Sequence, residues 1–152
     1  MIKNVIFDIG NVLLDFCWKD HIARFGFQGE KADRIAQAMM LGPIWPKLDL
    51  GLESDEDILE QFVAHTPELE QEIRLVFSDL STIVREYEGS VDWIESLKAR
   101  GYYTYYLSNY GERIRREASK ELSFLSHMDG GIMSYTVHLA KPDPAIYQTL
   151  LD

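Results

Sequence analysis

Cysteine is almost absent from this chain: Cys17 is the only one in 152 residues. No internal disulfide can form, which suits a reducing cytoplasm. Positive charge is also scarce, with 15 Lys and Arg against 25 Asp and Glu, a formal net charge of −10. That balance disfavours phosphate-backbone affinity, so nucleic acid is not an expected partner. It also repels anionic membranes. No hydrophobic run approaches the roughly 18 apolar residues that a membrane span needs. The apolar start, Val5-Ile6-Phe7, is interrupted by Asp8 with no small-residue cleavage site after it, so it does not read as a signal peptide. Repeats and low-complexity tracts are missing too. His21, His65, His127 and His138 lack metal-pair spacing and read as surface or satisfied core residues.

What is present is enough apolar sequence, 46%, for one packed core or a small core with an insertion. Val5-Ile6-Phe7 is a β-prone run ending in the turn-like Asp8-Ile9-Gly10-Asn11. Helical spacing follows over Lys31–Leu41, and Gly42-Pro43 breaks it. Ser54 with Asp57 resembles a capping box that opens a helix carrying Ile58, Leu59, Phe62 and Val63. Thr66-Pro67 reads as an N-cap and first helical position, with Leu69, Ile73, Val76, Phe77 and Leu80 as the apolar stripe. A helix from Ser90 is expected to face Trp93, Ile94 and Leu97 inward and to stop at Gly101. Tyr102–Leu107 predicts a second strand, Gly111–Leu122 a helix and Ile132–Tyr135 a weaker third strand. Asp143-Pro144 opens a last helix to Leu151.

Helices alternating with apolar strands predict an α/β fold with a parallel sheet. The stretch between the first two strands is far too long for one crossover helix. The expectation is therefore a Rossmann-like core from residues 1–14 and 89–152, with residues 15–88 inserted as an all-helical cap. Ligands bind outside the carboxyl ends of strands in such sheets. Asp8 and Ser108 stand at two such ends, and Lys141 lies on the loop after the third. A carboxylate, a hydroxyl and an ammonium meeting there suit phosphoryl transfer. Trp18, Trp45 and Tyr110 are candidates to line a substrate pocket.

Phe7-Asp8-Ile9-Gly10-Asn11-Val12, Leu107-Ser108-Asn109 and Lys141-Pro142-Asp143-Pro144-Ala145-Ile146-Tyr147 resemble, in order, the first three motifs of the haloacid-dehalogenase superfamily. The form is similar to that of bacterial α-glucose-1-phosphate phosphatases with a helical cap. The resemblance implies a magnesium-dependent phosphatase for a small phosphorylated metabolite, working through an aspartyl phosphate. Asp8 would be nucleophile and metal ligand, and the Gly10 carbonyl a second metal ligand. Ser108 and Asn109 would bind phosphate, and Lys141 would orient the nucleophile and neutralise charge. Two departures stand out. Gly10 replaces the usual acid–base Asp, which implies turnover slower by about 10²–10⁴-fold on poor leaving groups. The family's fourth motif, an acidic pair on a further strand, has no counterpart before Asp152. The chain is thus expected to be truncated, to bind Mg²⁺ weakly and to turn over little. Its first strand is expected to be a sheet edge that invites pairing with a second copy. The alternatives are a non-catalytic binding module and, last, a haloacid dehalogenase, which needs no metal.

Overall fold

The computed structural model describes residues 1–152. Strands β1 (Asn4–Phe7), β4 (Tyr103–Ser108) and β5 (Gly130–Met133) form a parallel sheet in the order β1-β4-β5. Between β1 and β4 the chain passes through β2 (Leu14–Phe16), five helices, β3 (Val84–Glu86) and α6 (Ser90–Ala99). The five helices are α1 (Trp18–Arg24), α2 (Gly29–Ala38), α3 (Pro46–Leu50), α4 (Asp55–His65) and α5 (Glu70–Phe77). After β4 come α7 (Glu112–Glu117), a 3₁₀ stretch over Ser119–His127, β5, α8 (Ser134–Val137) and α9 (Pro144–Leu151). The α/β fold with a parallel sheet is as expected.

Local capping signals read from the sequence account for two helix starts. Ser54 Oγ accepts the Asp57 N–H at 3.1 Å, and Asp143 Oδ1 accepts the Ala145 N–H at 3.0 Å. Other readings need correction. Thr66 makes no side-chain cap; Pro67–Leu69 instead form a 3₁₀ turn before α5. The third strand lies two residues earlier than predicted, because Ser134 and Tyr135 begin α8. Gly131 belongs to β5 for a steric reason: a Cβ there would sit 2.4 Å from the Tyr106 ring of β4. Trp93 is half exposed rather than inward, its ring edge-on to Phe7 at 4.8 Å between centroids.

The stretch from α1 to α5 is helical, as predicted, but its two ends are strands. Leu14 pairs with Glu86 and Phe16 with Val84, antiparallel. This ribbon closes the two hinges side by side, next to the end of β1. Most of the buried apolar side chains, among them Phe62, Phe77, Ile22, Ile35 and Ile73, pack between these helices. β1 is an edge strand, and Ile6 on it is half exposed.

His21 is a satisfied core residue, as expected. Its Nε2–H donates to the Val76 carbonyl at 3.0 Å, since that oxygen can only accept. Its Nδ1 then accepts from the Thr82 hydroxyl at 2.7 Å, and Arg24 donates to the same hydroxyl at 3.0 Å. Burial pushes the His21 pKa down. The folded value lies below the unfolded one, so this contribution to stability is complete above about pH 6.5 and is lost as pH falls below it. Replacing His21 with Ala opens a cavity and orphans two polar partners. A loss of about 2–4 kcal/mol in urea unfolding at pH 7.5 is expected.

Candidate active site

The turn after β1 is wound on one carbonyl. The N–H groups of Val12, Leu13 and Leu14 all point to Ile9 O, at 2.9–3.3 Å. Asn11 sits at φ 59°, a left-handed conformation that Asn tolerates better than most residues. Its side-chain oxygen accepts the Phe16 N–H at 3.2 Å and ties the turn to β2. The Asp8 carboxyl is anchored by its own loop, since Oδ1 accepts the Ile9 N–H at 2.7 Å. Phe7 pairs with Tyr106, which brings Asp8 and Ser108 out at the same end of the sheet.

Lys141 arrives from the loop before α9. Asn109 holds that loop by two hydrogen bonds. Its Oδ1 accepts the Lys141 N–H at 2.7 Å, and its Nδ2 donates to the Lys141 carbonyl at 3.1 Å. The ammonium then donates to Leu107 O at 3.1 Å and stands 3.0 Å from Asp8 Oδ2. Ser108 is buried at the strand end, with its hydroxyl 3.5 Å from Asn109 O, a weak contact that leaves the O–H available. The positions read from the sequence (Asp8, Gly10, Ser108, Asn109 and Lys141) all line one cleft of about 290 Å³. A larger cavity, about 550 Å³, adjoins the cleft at Gly111 and Ile114 and contains none of them.

Trp45 and Tyr110 line the cleft as expected; Trp18 does not, and Lys19 covers its ring instead. Two lining residues had no signal in the sequence. Val84 comes from β3, and Asp49 from α3. Burial alone pushes the Asp49 pKa up to about 7. Cys17 is a buried thiol with its pKa raised by burial, and its Sγ donates to Thr82 O at 3.4 Å.

No three His, Cys, Asp or Glu side chains gather anywhere into a metal cage. At the end of β1 the cleft offers oxygen ligands, the Asp8 carboxylate, half exposed, and the Gly10 carbonyl. That chemistry fits a hard cation such as magnesium, which takes one or two carboxylates and completes its shell with phosphate and water.

A family model described as haloacid dehalogenase-like hydrolase matches residues 2–152. The chain belongs to this family. It is accordingly a hydrolase. No curated protein matches the sequence. Among solved structures, a HAD family enzyme from Bacteroides thetaiotaomicron in complex with magnesium and inorganic phosphate is 20% identical, with a TM-score of 0.67 over 98% of this chain and 77% of that one. An HAD-like family hydrolase from Porphyromonas gingivalis is 24% identical, with a TM-score of 0.63 over 99% and 75%. The L-2-haloacid dehalogenase from Xanthobacter autotrophicus with chloropropionic acid covalently bound is 18% identical, with a TM-score of 0.65 over 98% and 63%. At these identities the likeness establishes the fold of this HAD-like hydrolase.

Proposed function

We propose that this HAD-like hydrolase is a phosphatase acting on a small phosphorylated metabolite, such as a sugar phosphate, through an aspartyl phosphate at Asp8. One observation carries the reading: the Lys141 ammonium lies 3.0 Å from the Asp8 carboxylate in the strand-end cleft. The lysine holds the nucleophile in line and balances charge on the equatorial phosphoryl oxygens. Ser108 donates its hydroxyl to a phosphoryl oxygen. Asn109 fixes the lysine loop through both halves of its amide and exposes its own backbone to the anion. Trp45 and Phe16 give the cleft its apolar wall. Magnesium, held by Asp8 and the Gly10 carbonyl, would neutralise phosphate charge when bound. With one side-chain ligand, its affinity is expected to be weak. The magnesium and phosphate held by the Bacteroides enzyme agree with this assignment.

Residues 15–88 act in this reading as the cap that selects the substrate. No helix is long and apolar enough to cross a membrane, and the single buried thiol suits a reducing cytoplasm. The open β1 edge, with Ile6 half exposed, invites pairing with a second copy. Sedimentation should then show a dimer that Ile6→Lys dissolves.

Phosphate release from a panel of sugar phosphates, with millimolar magnesium and with EDTA, tests the main assignment. Magnesium-dependent release supports it. Chloride release from 2-chloropropionate in EDTA, with no phosphate release, would assign the cleft to dehalogenation instead.

A further inference from the structure

Phosphoryl transfer to Asp8 leaves an alkoxide that needs a proton. Gly10, two residues on, has no side chain to provide one. Four titratable side chains line the cleft: Asp8, Asp49, Tyr110 and Lys141. Asp8 is the nucleophile. The ammonium of Lys141 is occupied by Asp8 and Leu107 O. Burial makes the Tyr110 phenol a weaker acid than usual. Asp49 remains, and its place is built rather than accidental. Gly51 ends α3 in a left-handed turn at φ 64°, where a Cβ would lie 2.9 Å from Tyr135 O of α8. Ser134 of α8 donates its hydroxyl to the Asp49 carbonyl and also accepts the Tyr110 N–H. On the other side, a Cβ at Gly111 would lie 3.4 Å from Leu48. The helix is thus pinned between α8 and the loop after β4, with Asp49 turned to the cleft.

Resting on the phosphatase reading, we infer that Asp49 is a catalytic residue, the general acid that protonates the leaving alcohol. The Asp8 oxygen forms a bond to phosphorus as the bond from phosphorus to the substrate oxygen breaks. That oxygen leaves with the electron pair and takes the Asp49 proton, so a neutral alcohol departs. Asp49 is left ionised and regains a proton from solvent. The charged and titratable neighbours are Asp8 and Lys141 across the cleft, Tyr110, and Tyr135 and His138 from the region of α8. Glu53, Asp55 and Glu56, and Glu112 and Arg113 of α7, line the adjoining groove with Leu48. Lys47, on α3 itself, is engaged by Gln61 and Glu53. None of these hydrogen-bonds the Asp49 carboxyl, which keeps its proton near neutrality because partial burial disfavours the charged form.

First-turnover rates on two substrates test this. With a primary alkyl phosphate, Asp49→Asn should lower the rate about 100-fold or more. With p-nitrophenyl phosphate, whose leaving group needs no proton, the rate should fall at most a few-fold. The added Cβ of Gly10→Asp meets nothing within 4 Å, so Asp49→Asn combined with Gly10→Asp should recover much of the alkyl phosphate rate. An unchanged alkyl phosphate rate in Asp49→Asn, or equal losses on both substrates, would overturn the role of Asp49. If Asp8→Asn still abolished turnover, the phosphatase reading would stand without it. Thermal melting gives a readout independent of turnover. Asp49→Asn should melt above wild type at pH 8 and level with it at pH 4, because the carboxyl resists ionisation only in the folded chain. Equal melting at both pH values would also sink the inference.

Discussion

Asp8→Asn should abolish phosphate release, with kcat falling by about 10⁴-fold or more, as losing a covalent nucleophile does. The amide keeps the shape of the carboxylate. Its oxygen can still accept the Ile9 N–H that Oδ1 accepts at 2.7 Å, so the loop after β1 holds. Lys141 loses its charge partner but retains the bond to Leu107 O. The variant should therefore fold and bind phosphate while forming no phosphoenzyme. Malachite-green release and intact-mass detection of an acid-stable adduct check both halves. Release from Asp8→Asn equal to wild type would remove the covalent mechanism altogether.

Lys141→Met should have the second largest effect, a fall in kcat of about 10²–10³-fold. That is the usual cost of deleting one fixed positive or hydrogen-bonding group aimed at transition-state charge. Methionine matches the stem in length and removes only the ammonium. Stability should hardly move, because the Asp8 side chain is 46% exposed and the ion pair is screened, worth ~1 kcal/mol or less. Lys141→Arg should not restore the rate. The Lys141 ammonium is a compact charge placed between Asp8 and Leu107 O, and the longer, planar guanidinium would put its charge elsewhere. Single-turnover kinetics beside urea unfolding separate the two effects. A proportional loss of stability and rate would mean that Lys141 is structural only.

Much of the site was legible because its logic is local. A short apolar strand followed by Asp8-Ile9-Gly10-Asn11 must turn, and a turn at a parallel strand's carboxyl end presents its polar residue to the ligand side. Ser108 followed from the same rule at the end of β4, and Lys141 was read from its place on the loop before the last helix. Ser54 and Asp143 were readable as helix starts because a cap needs only neighbours three residues away or fewer. The missed features all depend on distant partners. Leu14–Phe16 and Val84–Glu86 are too short and too mixed to read as strands alone; each is a strand because the other lies beside it. Gly130 and Gly131 carry no β signal, yet Gly131 is in a strand because β5 passes close over Tyr106. Trp93 sat on the predicted inward face, but its helix turns so that the indole covers Phe7 from outside.

By itself the sequence determined the fold class, the order of the sheet strands and the candidates Asp8, Ser108 and Lys141, since hydrophobic period, turn chemistry and chain direction are properties of contiguous residues. Only the tertiary structure decided how far Asp49 is buried and that this outlying carboxyl shares the cleft. Asp49 reaches Asp8's cleft because α3 is wedged between α8 and Gly111, contacts that span some 60 to 85 residues of chain. Burial of that kind is a sum over surfaces brought together from far apart, and no short stretch of residues encodes it.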